Sequence, residues 1–152
     1  MTATTMDRIE RQIALKAPRK RVWQALTNSV EFGQWFGITL DGPFQAGKTV
    51  RGKHPVSGKG HILVEYTVEK IEPETLFSYR WHPYACEPER DYSTEPKTLV
   101  EFRLQDDNGG TLLTVTESGF DGIPADRRDE AFRKNTAGWE GQILKLQRYV
   151  EQ

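Results

Sequence analysis

The strongest constraint on what this chain can fold into is a stripe of side chains near its C-terminus. Phe132, Thr136, Trp139, Ile143, Leu146 and Val150 recur at alternating steps of four and three, the spacing that aligns residues along one face of an α-helix. Pro124 suits a first helical position, and Asp126, Asp129 and Glu130 set negative charge beside the N-terminal end of the helix dipole. No proline follows Pro124, so the spacing predicts one helix of roughly 25 residues, about 38 Å long. A helix of that length needs an extended apolar surface to lie on.

The middle of the chain supplies one. From residue 38 to 118 the hydrophobic period is two, which predicts strands over 38–40 or 44–46, then 48–54, 61–71, 75–82, 98–105 and 111–118. DGP, SGKG, EPE and DDNGG break the run at turns, and a long loop separates 82 from 98. Ile62, Val64, Tyr66 and Val68 share one face, as do Phe77, Tyr79 and Trp81, then Val100, Phe102 and Leu104, while charged residues occupy the other. Such alternation predicts an antiparallel sheet covered on one side only, with the C-terminal helix as its cover. An earlier strand alternates Ile9, Arg11, Ile13 and Leu15 with Glu10, Gln12 and Ala14. Pro18 then opens a short helix over PRKRVWQALTN, and SVEFGQWFG forms a second that ends in glycine. The class is α+β.

Composition narrows the partners. A chain of 152 residues suits one domain, with residues 1–6 expected as a flexible tail. Twenty-one basic against 22 acidic side chains give a formal charge of -1, so no broad field points to nucleic acid or an anionic membrane. No segment reaches membrane-spanning length, no leader pattern opens the chain, and the single Cys86 excludes an intrachain disulfide framework. A soluble cytoplasmic protein is expected. His54, His61 and His82 are too scattered for a metal motif, and no phosphate-cradling loop or nucleophile elbow is present, so neither metal nor cofactor is expected. The loop over 83–97 is long and proline-rich, as lids often are, and Cys86 within it reads as an inert thiol.

Three polar residues break the apolar pattern. Relative to Trp139, Asn135 and Gln142 fall about 40° and 60° round the helix, and Gly138 lies at the edge of that face. Leu113, Val115 and Glu117 share a strand face, so Glu117 turns toward the helix with them. The plain account is a core helix with satisfied amides and a Glu117 that reaches water at its strand end. The sharper one is a helix that closes a cavity, with Asn135 meeting Glu117 inside it and Trp139 packed on Phe102.

The order of elements, with APRKRVWQALTN and QWFG near the start and FSYRWHPY, TLVEFRL, LTVTESGF and NTAGWEGQILKLQRY further on, resembles the heat-shock protein 90 ATPase activator C-terminal-like family. That family belongs to the START-like (SRPBCC, helix-grip) superfamily. The match covers roughly residues 8 to 150 and rests on the order and spacing of these pieces. It implies a curved antiparallel sheet of about six to seven strands gripping the C-terminal helix, with residues 7–152 as a single START-like domain. It also implies a deep cavity between sheet and helix that often takes hydrophobic small molecules. On that map Trp35, Phe36, Tyr66, Tyr79, Trp81, Phe102, Glu117, Asn135, Trp139 and Gln142 are the candidate ligand-binding residues, and Glu117 is the one candidate catalytic acid or base.

The resemblance leaves three functions open, because the fold hosts several. The first is binding of a small hydrophobic or aromatic ligand. The second is a stress-related chaperone ATPase-activator-like interaction module. The third is a polyketide cyclase- or hydrolase-like enzyme using Glu117. The eukaryotic activators carry a separate N-terminal domain that engages the chaperone, and 152 residues leave no room for one, which argues against the second. No partner residue for Glu117 is evident, so a non-enzymatic ligand binder, monomeric or homodimeric, is the leading expectation.

Overall fold

The computed structural model describes residues 7–56, 60–85 and 90–152; the expected tail over 1–6 and Cys86 lie outside the described residues. Strand β1 (Arg8–Leu15) leads into helices α1 (Arg19–Thr27) and α2 (Ser29–Phe36). Strands β2 (Thr39–Leu40), β3 (Thr49–Val56), β4 (Gly60–Glu72), β5 (Leu76–Trp81), β6 (Thr98–Asp107) and β7 (Gly110–Ser118) follow. A short 3-10 turn, Phe120–Gly122, then feeds helix α3 (Ala125–Val150). The seven strands form one antiparallel sheet in the order β1-β7-β6-β5-β4-β3-β2. The choice between 38–40 and 44–46 falls to Thr39–Leu40, and Phe44 instead packs from a loop onto Phe77, ring centroids 5.1 Å apart.

Local chemistry sets the joints. Asn28 caps α2, its Oδ1 accepting from the N–H groups of Val30 and Glu31 at 3.0 and 3.1 Å. Gly37 ends that helix at φ 87°, a left-handed conformation open to glycine. Between Val68 and Lys70 the pairing of β4 with β5 shifts register, and such a bulge bends and twists the strand around what it encloses.

The alternation predicted for the strands holds on the inner face, where Tyr66, Val68, Phe77, Tyr79, Trp81, Val100, Phe102, Leu104, Leu113 and Val115 are all buried. The cover differs from expectation. A helix about 10 Å wide spans two or three strands at 4.8 Å spacing, not seven. Helix α2 covers part of the remainder: Phe32 stands edge-on to Tyr66 and Tyr79 at 6.2 and 6.3 Å and to Phe44 at 5.3 Å. The stripe on α3 also shifts. Toward the N-terminus its buried line runs through Arg127 and Ala131, while Phe132 is half-buried and packs sideways on Phe120 at 5.2 Å.

Candidate functional site

Where β5, β6, β7 and α3 meet, one carboxylate collects four donors. Glu117 accepts from Trp81 Nε1 at 2.7 Å, Thr98 Oγ1 at 2.6 Å and Trp139 Nε1 at 2.8 Å. Asn135 Nδ2 bridges its two oxygens at 2.9 and 3.2 Å. Sheet register explains the first two contacts, because Trp81 pairs with Thr98 and Val100 pairs with Glu117. Helical geometry explains the others: Asn135 and Trp139 are four residues apart on α3 and point down the same face. Glu117 is 0% exposed, so it does not reach water at the strand end. Burial pushes its pKa up, and the hydrogen bonds from Thr98, Trp139, Trp81 and Asn135 oppose that rise.

Outside this cluster lies a pocket of about 210 Å³. Its wall is aromatic: the Phe36, Trp81 and Trp139 centroids stand 6.1, 6.0 and 6.0 Å apart. Asn135, Gly138 and Gln142 form the α3 side and His54 the β3 side. Gln142 Nε2 donates to the Phe36 carbonyl at 3.1 Å, tying α3 to the end of α2. Its Oε1 is buried and has no partner among the described residues.

Of the sequence-predicted residues, Phe36, Trp81, Asn135, Trp139 and Gln142 are brought together at this pocket, with Glu117 sealed behind it. Tyr66, Tyr79 and Phe102 lie deeper and do not line it. The rings of Tyr66 and Tyr79 pack 5.5 and 5.4 Å from Trp81, and Phe102 stands edge-on to Trp139 at 5.7 Å, the contact expected for that tryptophan. Both tyrosine hydroxyls are buried without a partner among the described residues, and burial raises both pKa values. Trp35 belongs elsewhere: its Nε1 donates to the Ala25 carbonyl at 2.8 Å, locking α2 onto α1. Thr98 and His54 were not among the sequence-predicted binding residues. Strand alternation places both inward, Thr98 two before Val100 and His54 four after Val50.

The loop after β5 is pinned rather than free where it is described. Arg127, buried in the first turns of α3, donates to Glu95 at 2.9 Å and to the Pro83 carbonyl at 2.8 Å. Arg90 links the same Glu95 to Asp126 at 3.0 and 3.1 Å. Among the described residues no group of three His, Cys, Asp or Glu is placed to hold a metal ion, and no helix is long and apolar enough to cross a membrane.

A long helix held by a seven-stranded antiparallel sheet, with two short helices inserted after the first strand, is the START-like helix-grip arrangement. The chain belongs to the family of activator of Hsp90 ATPase homolog 1-like proteins, whose model matches residues 16–151. No match to a curated protein is found by sequence. Among solved structures, DynU16, from the dynemicin biosynthetic locus, is 26% identical with a TM-score of 0.72 over 95% of this chain. The alignment spans 47% of DynU16, so this chain is about half its length. The Aha1 dimer of Colwellia psychrerythraea is 20% identical, with a TM-score of 0.71 over 95% of this chain and 96% of that one. CalU16 of Micromonospora echinospora is 22% identical, with a TM-score of 0.64 over 94% and 75%. The last two likenesses are of fold. Proteins built on this scaffold bind small ligands or partner proteins.

Proposed function

We propose that this protein binds a small, largely apolar or aromatic molecule in the pocket walled by Phe36, Trp81 and Trp139. The observation that carries the reading is Gln142 Oε1, a buried acceptor with no partner among the described residues, set beside three aromatic rings. Buried polar atoms are nearly always hydrogen-bonded, and an apolar recess with a few oriented polar groups is the usual form of a small-molecule site. About 210 Å³ exceeds the 150 Å³ that holds benzene in an engineered cavity. It is below the size of most drug-like sites, so the ligand inserts one ring or one compact head. The relative encoded in a biosynthetic locus accords with a small-molecule ligand.

The other two readings have less to rest on. A catalytic acid or base must reach substrate, whereas both oxygens of Glu117 are engaged and buried. A protein-docking face calls for a contiguous apolar patch. The exposed large apolar residues among those described are Val30, Leu63 and Leu144, on α2, β4 and α3.

Gly138 offers the test. A Cβ built there meets nothing within 4 Å, and the residue lines the pocket from within α3. Gly138→Leu should raise stability by about 0.5–1 kcal/mol through helix propensity while its side chain fills the recess. Native mass spectrometry of protein from its own host should find a retained small molecule in the wild type and none in the variant. Equal retention by both proteins would place the ligand elsewhere, and no ligand on either would remove the reading.

A further inference from the structure

Most of the donors around this pocket are spent on the protein, and acceptors are left over. Each of the two amides donates from its NH2 to the protein: Asn135 to both oxygens of the Glu117 carboxylate, Gln142 through one N–H to the Phe36 carbonyl. Turning either amide over would set oxygen against oxygen, so their orientation is forced. What remains is the acceptor half, Asn135 Oδ1 and the unpartnered Gln142 Oε1. His54 Nδ1 lies 3.3 Å from the Pro55 carbonyl.

The wall has the same sense. The faces of aromatic rings are the negative side of their quadrupole. Both indole N–H groups, on Trp81 and Trp139, point at Glu117, which draws the positive edge of each ring inward. Behind the wall Glu117 has Trp81, Thr98, Asn135 and Trp139 as its partners, every one of them neutral. No cation is hydrogen-bonded to it.

We propose that the pocket selects an organic ammonium ion, a compact alkyl- or arylalkyl-amine in its protonated form, over neutral and anionic molecules of the same shape. This rests on the reading of the pocket as a ligand site. The ammonium N–H groups meet Gln142 Oε1 and Asn135 Oδ1, the carbon portion packs on Phe36, Trp81 and Trp139, and the charge gains from the ring faces. An anion would meet the negative ring faces, with both indole N–H groups already committed to Glu117.

The test is calorimetric titration of the folded wild-type protein near neutral pH with benzylamine, benzyl alcohol and benzoate, which share a ring and differ in charge. Benzylammonium should bind about tenfold more tightly than benzyl alcohol, the factor that a desolvated cation–π contact supplies, with benzoate weakest. Gly138→Leu should abolish the benzylammonium signal, locating it in the pocket. In Glu117→Gln the ratio of benzylammonium to benzyl alcohol affinity should narrow; if that variant does not fold, the wild-type ratio decides alone. Comparable affinity for all three, lost in Gly138→Leu, would overturn the charge preference and leave the pocket as a ligand site. Binding of none of them would overturn both.

Discussion

Replacing Glu117 by glutamine keeps the shape and removes the charge. In the native cluster Oε1 accepts from Trp139 Nε1 and Asn135 Nδ2, and Oε2 from Trp81 Nε1 and Thr98 Oγ1. An indole N–H can only donate. The glutamine NH2, placed at either position, therefore faces an indole N–H that cannot turn away. One buried donor is orphaned, at a cost of about 1–3 kcal/mol. The opposing effect is relief of the carboxylate's desolvation, which is what raises the Glu117 pKa above its ordinary 4.5.

The two effects separate on a pH axis. Because the folded pKa is raised, native protein holds this proton more tightly than unfolded chain does. Stability from protonated Glu117 is then complete below about 4.5 and is lost as pH rises through the folded pKa, at about 1.4 kcal/mol per unit across that window. Glutamine has no proton to lose. The wild type's advantage over Glu117→Gln should be greatest at the acid end and shrink as pH rises, while carboxylates common to both proteins cancel in the difference. Urea denaturation of the pair across this range measures it. A difference that is flat in pH, or that grows with pH, would refute the argument that desolvation dominates at this carboxylate.

Two further perturbations address the helix and the loop. Trp139→Ala should cost about 3–5 kcal/mol in chemical denaturation by the large-to-small rule, and Trp139→Phe at least about 1–3 kcal/mol, because the donor to Glu117 is lost together with part of the buried ring. Arg127→Met should cost about 1–3 kcal/mol rather than the 3–5 of a stranded buried charge, since Arg90 still holds Glu95. The same change should speed hydrogen exchange of the amides over 90–97, and unchanged exchange there would mean that Arg127 does not anchor the loop.

The parts of this fold that the sequence made legible are those with a period. The inward residues of β4 to β7 and the stripe of α3 from Trp139 to Val150 follow from steps of two and of three or four. Even the meeting of Asn135 with Glu117 follows, from two independent phases. The exceptions are tertiary. Trp35 shares a helix with Phe36, yet one packs into α1 and the other walls the pocket; that division depends on how α2 lies across the sheet, which no local pattern encodes. Tyr66, Tyr79 and Phe102 point inward as predicted, but depth behind the Trp81 and Trp139 rings separates them from the pocket, and periodicity carries no depth. Phe132 lies only about 20° from Trp139 in helical phase, yet beyond the sheet it packs sideways on Phe120, and the buried Arg127 takes that end of the helix for its ion pair with Glu95.

That a carboxyl group should sit at the centre of this assembly has a physical consequence for the helix. Apolar packing alone fixes α3 on the sheet weakly, since Leu, Ile and Trp tolerate small slides and rotations. The Glu117 cluster does not. Sliding α3 by one residue turns Asn135 and Trp139 about 100° away and leaves the carboxylate without two of its four donors. A buried charge stripped of partners costs several kcal/mol, far more than a few displaced methyl contacts. The cluster therefore sets the register of helix on sheet, and through it the position of Gly138 and Gln142, one turn apart on the pocket side of the same helix. Trp81 and Trp139 are each held by an N–H at one edge and packed against neighbouring rings, so the pocket wall is stiff before any ligand arrives. Preorganisation of that kind reduces the ordering cost of binding, and here it comes from the residue that binds nothing outside the protein.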